Sequence, residues 1–223
     1  MVIGITLIIV ALIITVAVLV YRHDGTAFGQ LTGYSFFDIV LHAKKGQLYK
    51  LMTQLDHVAG EHKVLIDVQL PVNNSTYPVD AIFVHESGIY VIDGVHKTGW
   101  ITGDEHQVEW VQVKHGDKQE PFTNPIMVNH RIIDTLRELL PDVNGDVYSS
   151  VSVFSDACSF QKVETYSPNV EVIKMRELKA WTKQIGGEVL SKEEIDKVYH
   201  ALEGFMSFKQ QSAKQPTKQA VTN

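Results

Sequence analysis

V-D-A-I-F-V-H-E-S-G-I-Y-V-I-D-G-V-H-K-T-G-W-I-T-G occupies residues 79–103, and the reading of this stretch decides the fold. Residues 79–85 and 89–95 alternate or run apolar. Glu86, Ser87 and Gly88 between them carry a turn signal, so the pattern predicts two antiparallel strands. Asp80 and Asp93 then become near neighbours. Two carboxylates this close repel unless a cation or a proton lies between them, and oxygen ligands of this kind suit a hard ion such as Mg2+ or Mn2+. The plainer alternative is a pair of solvated carboxylates at strand ends.

Working outward, short signals follow in a fixed order: Gly46-Gln47 on a helix, Leu70-Pro71 after a strand, Val79-Asp80, S-G-I-Y-V-I at 87–92, T-G-W-I-T-G at 98–103, Trp110, and Asn124-Pro125 opening a helix. The ordered set resembles the nuclease-related domain family, NERD, a branch of the PD-(D/E)XK nucleases, over roughly residues 45–185. The resemblance implies an α/β, restriction-endonuclease-like fold with a mixed central sheet flanked by helices. It also implies phosphodiester chemistry on DNA or RNA with a divalent metal. Carried over residue by residue, Asp80 and Asp93 hold the ion, the Gly94 carbonyl assists, and Gln47 stands at the helix position of the site.

The departures from the family pattern fall at that same site. The family's Gly-Glu is Gly46-Gln47 here, and its I-E-x-K reads Ile92-Asp93-Gly94-Val95. Its Gln three residues after the helix Pro is Val128. The family's lysine is taken to orient and help deprotonate the attacking water and to stabilise charge on the phosphate, which a valine cannot do. Lys97 is the candidate substitute. Asp93, Val95 and Lys97 share a strand face, with Lys97 roughly 6.6 Å beyond Val95. The lost groups point to a catalytically degenerate fold kept as a binding or scaffold module. The retained aspartates keep a nuclease with a rearranged site as the alternative.

Residues 2–20 contain no charge and are almost wholly Ile, Leu, Val and Ala. Nineteen residues span roughly 28 Å as a helix, enough for the hydrocarbon core of a bilayer. No basic residue precedes the run and no small-x-small site follows it, which argues against a cleaved signal peptide. Arg22, Lys44 and Lys45 follow the span, so the larger part is expected in the cytoplasm as a single-pass protein of the cell membrane, with Tyr21 at the interface. Organisation is expected as an anchor (1–21), a flexible juxtamembrane linker and helix start (22–43), the nuclease-like domain (44–185), a C-terminal helix (186–208) and a disordered polar tail (209–223).

Composition limits the partners. Of 20 basic residues, Arg22, Lys209, Lys214 and Lys218 lie outside residues 23–208, which hold the other 16 and all 26 acids, a net charge of −10. A broad nucleic-acid surface needs clustered Lys and Arg, and none occurs outside the tail. The ten histidines show no metal-ligand spacing, although His85 and His96 flank the hairpin. Gly186-Gly187 lacks the neighbours of a phosphate loop. The single cysteine, Cys158, reads as an idle buried thiol in a reducing compartment.

The remaining pattern gives one helix from Ser35 to about Val58, with a Ser35/Asp38 capping box, and a strand over 63–70. A turn-rich connection follows over 71–78, with short strands at 100–102 and 107–113. A helix capped by Asn124 and stopped at Pro141, strands at 147–154 and 170–173, and a helix over 175–185 complete the domain. Phe36 and Phe37 are candidates for lipid contact or for packing. The stripe Ile195, Val198, Leu202, Phe205 and Met206 on the last helix is a packing face or, on a sharper reading, a protein-partner surface.

Overall fold

The computed structural model describes residues 2–72, 75–114 and 116–207, so the tail expected to be disordered lies outside the described residues. The hairpin forms as predicted. β2 (Ser75–His85) and β3 (Gly88–Val95) pair antiparallel through Ala81 with Ile92 and Phe83 with Tyr90. β1 (His62–Val72) adds antiparallel to β2, while β7 (Tyr148–Phe154) and β9 (Val170–Lys174) extend the other side in parallel, giving the order β1-β2-β3-β7-β9. This is the expected mixed central sheet flanked by helices.

Each face of that sheet is sealed by an apolar helix stripe. On one side α4 (Ala43–Leu55) lays Leu48, Leu51, Met52 and Leu55 onto Ile66, Phe83, Ile92, Val151 and Val153. On the other, α5 (Pro125–Leu139) and α7 (Lys192–Leu202) bring Ile132, Leu136, Ile195, Val198 and Leu202 onto Leu65, Ile82, Val84 and Val91. Residues 81 and 83 face one helix layer and 82 and 84 the other, as strand periodicity requires. Each fully buried Leu or Ile contributes about 1.5–3 kcal/mol, so these two layers hold the sheet.

A second, four-stranded sheet has the order β6-β5-β4-β8. It comprises β4 (Gly99–Asp104), β5 (Glu109–Lys114), β6 (Lys118–Thr123) and β8 (Cys158–Glu164). Its core is Trp110, stacked on Phe154 with ring centroids 5.9 Å apart. Gly103 is required there, because a Cβ would fall on the indole. Asn124 is fully buried, caps α5 through Ile126 N (2.9 Å), and donates to the carbonyls of Glu105 (2.9 Å) and Gln107 (2.7 Å).

Several expectations are corrected. The 22–33 segment is helical: α1 (Val2–Asp24) continues past the apolar span, and α2 (Ala27–Thr32) follows, capped by Thr26 and closed by Gly33 at φ 68°. Phe28 from α2 is buried, so apolar packing holds what glycine content suggested was a linker. The helix expected over 35–58 breaks at His42 into α3 (Phe36–Leu41) and α4, with the Ser35/Asp38 capping box in place. Gly46 allows α4 to lie close to α3, since a Cβ there would stand 2.8 Å from the Ile39 carbonyl oxygen. Strand pairing runs through the supposed 71–78 connection, with Pro71 and Pro78 accepted in the β1–β2 pair. β6 and β8 were not anticipated, and the helix near 175–185 shrinks to one 3-10 turn and α6 (Leu178–Trp181). The apolar stripe of α7 is buried in the core, and Met206 bridges Val68, so that face is not free for a protein partner.

Candidate functional site

β2 and β3 deliver the carboxylates. The hairpin ladder ends at Ala81 with Ile92, and the same register one step further sets Asp80 opposite Asp93. Neither is a solvated strand-end carboxylate. Asp80 is 4% exposed and Asp93 is partly buried. Across from Asp80 on β1, Asp67 has a left-handed backbone (φ 50°), and the ladder steps from Ile66–Ala81 to Val68–Val79 around it. The Tyr34 hydroxyl donates to the Asp67 carboxylate and Ser207 Oγ to its carbonyl (2.9 Å), which hold this irregular point. Strict alternation fails here, since Val79 and Ile82 both join the cluster beneath α5 and α7.

Asp80 is held from two sides. The Gly94 amide donates to Oδ2 at 2.9 Å, and the Lys44 ammonium lies 3.4 Å from Oδ1. Gln47, one helical turn beyond Lys44 on α4, is 8% exposed, and its amide nitrogen is buried without a hydrogen-bond partner among the described residues. Gly94 makes this closeness possible, because a Cβ there would collide with the Gln47 amide and stand 2.6 Å from Asp80 Oδ2.

The electrostatics follow from the burial. Withdrawal from water pushes Asp93 up to about 7, and the neighbouring Asp80 charge adds to the effect, against smaller opposing effects of Lys44 and the Gly94 amide. Asp80 is also raised by burial, with Lys44 the chief opposing influence. The Tyr77 hydroxyl is raised by burial and then by the Asp93 charge, while Arg131 on α5 opposes that rise. Tyr77 thus feels the charge of the pair, and Arg131 stands beside Tyr77.

Two hollows lie beside neighbours of the pair, one at Gln47 and one at Tyr77. A groove of about 430 Å3 is lined by Ile39, Val40, Gln47, Lys50, His96 and Asp156. A second, of about 340 Å3, is lined by Tyr77, Thr123, Val128 and Arg131.

Thus the structure brings together Asp80, Asp93, Gly94 and Gln47 of the expected set, but not Lys97. β3 ends at Val95, and the Lys97 ammonium lies 4.5 Å from the centre of the Phe122 ring. Val95 is 8% exposed in the apolar cluster around Trp110. His96 reaches the groove, whereas His85 sits at the opposite end of the hairpin, bonded to the Ala59 carbonyl (2.8 Å) and Ser87 Oγ (2.7 Å). Cys158 is buried and gives its thiol to the Ser155 carbonyl, as befits an idle thiol.

Lys44, Tyr77 and Arg131 were missed. Lys44 had a signal, because three residues before Gln47 on a helix is the same face. Tyr77 and Arg131 had none, since only the packing of α5 on the sheet brings Arg131 to the hollow that Tyr77 lines.

Two carboxylates, a carbonyl and an amide oxygen could serve a hard cation completed by water. The described residues contain no group of three His, Cys, Asp or Glu able to hold a metal ion. The donor set thus fits Mg2+ or Mn2+ only with neutral oxygens and water making up the shell.

A model for the nuclease-related domain matches residues 43–155, half of the chain, including Lys44, Gln47, Asp80 and Asp93. An uncharacterized protein of Bacillus anthracis (pXO1-01/BXA0003/GBAA_pXO1_0003) is 25% identical over 127 residues, which is 57% of this chain and 58% of that relative. The match therefore spans less than two thirds of the relative.

Proposed function

The chain belongs to the nuclease-related domain family, and on that footing we propose that it is a membrane-anchored, nuclease-like module whose site binds rather than cleaves. The observation that carries this is the Lys44 ammonium on buried Asp80, together with apolar packing at Val95, where a catalytic lysine would stand. The half-exposed Lys44 ammonium supplies part of the charge compensation that a pair of buried carboxylates needs. No described lysine is set to activate water on the β3 side of the pair. Among the described residues one helix, α1, is long and apolar enough to cross a membrane. The domain lies at the cytoplasmic face in this reading, which the basic residues Arg22, Lys44 and Lys45 after the span support.

A metal-dependent nuclease is the second reading, favoured by one specific observation. Asp93 is held up to about 7, as expected of a carboxylate arranged for a charge that is not its own. Asp80, Asp93, the Gly94 carbonyl and Gln47 would then hold Mg2+ or Mn2+, which when bound polarises phosphoryl oxygen and activates water. Lys44 would turn to the phosphate, and Tyr77 and Arg131 would orient the strand.

The deciding experiment uses the full chain in lipid nanodiscs. Mn2+ and Mg2+ are titrated by calorimetry beside Asp80→Ala and Asp93→Ala variants, followed by single- and double-stranded DNA and RNA under cleavage conditions. Ligand retention without cleavage supports the binding module. Metal-dependent cleavage abolished in both variants overturns it in favour of the nuclease.

A further inference from the structure

α3 is apolar on two sides. Phe36 turns inward, its ring 6.4 Å from that of His23, and Ile39 packs against the α4 side of the core. The other face carries Phe37, Val40 and Leu41, which are 52%, 63% and 73% exposed. Their spacing of three and four residues makes one continuous stripe on a single helix face. Among the described residues beyond α1, the other exposed large apolar side chains, Tyr77, Trp100, Val108, Leu139, Tyr166 and Val189, are isolated from one another along the chain. Scattered apolar residues are ordinary on a protein surface, whereas a contiguous patch implies an occupant.

The stripe lies beside the end of the membrane-spanning candidate and is fixed to it. His23, in the last turn of α1, is 5% exposed, and its Nε2 is 2.8 Å from the Tyr34 carbonyl oxygen immediately ahead of α3. Its ring also meets Phe28 at 6.3 Å and Tyr49 at 5.8 Å. With residues 2–20 filling roughly 28 Å of hydrocarbon, Arg22 and His23 fall at headgroup level. Exposed Tyr21 stands at the same depth. The packed His23 joint keeps α3 from swinging far from that plane.

We infer that α3 is an interfacial helix, its Phe37, Val40 and Leu41 face seated at the headgroup–acyl boundary next to the anchor, with phospholipid as its occupant. This rests on α1 being the membrane anchor proposed above. It has a functional consequence. Val40 also lines the groove that contains Gln47 and His96, so the mouth of the candidate site opens beside the bilayer and a ligand reaches it along the membrane surface.

The test uses full-length protein in nanodiscs of phosphatidylcholine and phosphatidylglycerol, with Cys158→Ser as background and single cysteines spin-labelled at Leu41→Cys, Val40→Cys, Ile9→Cys and Val108→Cys. Accessibility to oxygen against a water-soluble nickel chelate reports depth. The expected result is Ile9 deep in hydrocarbon, Leu41 and Val40 at the interface with oxygen favoured, and Val108 aqueous. Ile9 in lipid with Leu41 and Val40 freely open to the chelate overturns the interfacial helix and leaves the anchor standing. Ile9 open to the chelate overturns the anchor and the inference with it. Leu41 immobilised and shielded from both reagents also overturns the inference, because protein rather than lipid then covers the stripe.

Discussion

Asp93→Asn should make the protein more stable, and only above mildly acidic pH. In the folded chain Asp93 keeps its proton to about 7, against an ordinary value of 3.8, because burial and the Asp80 charge disfavour its anion. The unfolded chain releases that proton near the ordinary value. Between about pH 4 and 7 the folded state therefore binds more protons than the unfolded state, and stability falls as pH rises through this window. Above about 7 the whole penalty is present, and below about 4 it vanishes. One pKa unit corresponds to about 1.36 kcal/mol, which sets a ceiling of about 4 kcal/mol. Asp93 keeps some contact with solvent and Lys44 stands close by, so about 2 kcal/mol is the working figure. Asparagine has nearly the same shape and no charge. For a chain of this size the variant should melt roughly 4–8 °C above the parent at pH 8 and at the same temperature near pH 4. Thermal unfolding of both proteins in nanodiscs, followed by near-ultraviolet circular dichroism from pH 4 to 8, measures this. A difference that stays constant across pH would refute the account, since it would mean that the substitution acts through packing and not through ionisation. Repeating the pH 8 melt with Mn2+ adds a second readout, because an ion taken by the pair raises only the parent.

Lys44→Met keeps the aliphatic stem and removes the charge on Asp80. Because the lysine is half exposed, a loss of about 1 kcal/mol at pH 7 is expected by urea unfolding, with Mn2+ affinity rising if the ammonium and the ion compete for the same oxygens. Gly94→Ala should destabilise by about 3 kcal/mol or more, since the new methyl meets Gln47 and Asp80. Gln47→Ala in the same chain should recover a measurable part, and no recovery would place the clash elsewhere. Asn124→Ala removes a helix cap and leaves the Glu105 and Gln107 carbonyls without their shared donor, for a loss of about 2–4 kcal/mol read in the same unfolding assay. Leu202→Ala, which opens a cavity beneath α7, should lower stability by about 2–5 kcal/mol, and a neutral result would contradict the packing of that helix on the sheet.

Much of this protein was legible in one dimension because the signals are local. The hairpin announces itself by apolar alternation around Glu86-Ser87-Gly88, and its register alone makes Asp80 and Asp93 neighbours. The caps at Ser35 and Asn124 mark helix starts, since a short polar side chain satisfying a free amide needs only residues two or three positions away. The apolar run before Tyr21 is borne out as one helix long and apolar enough to cross a membrane. The order of short segments was enough for the family.

Tertiary structure decided what depends on groups far apart in sequence. β6 and β8 are short strands with poor alternation, and they exist because the Trp110 core and their pairing partners demand them. The glycines of the 22–33 segment suggested slack, but burial of Phe28 and His23 makes it a rigid joint. Lys97 shares a strand face with Asp93 on paper, yet β3 stops at Val95 and the ammonium finds the Phe122 ring instead. The cation that reaches Asp80 is Lys44, delivered from another element, and Arg131 meets Tyr77 only because α5 packs on the sheet. Sequence periodicity determines which face a side chain takes within its own helix or strand. Which charges meet across elements, and how far burial shifts them, is set by the packing of those elements on one another.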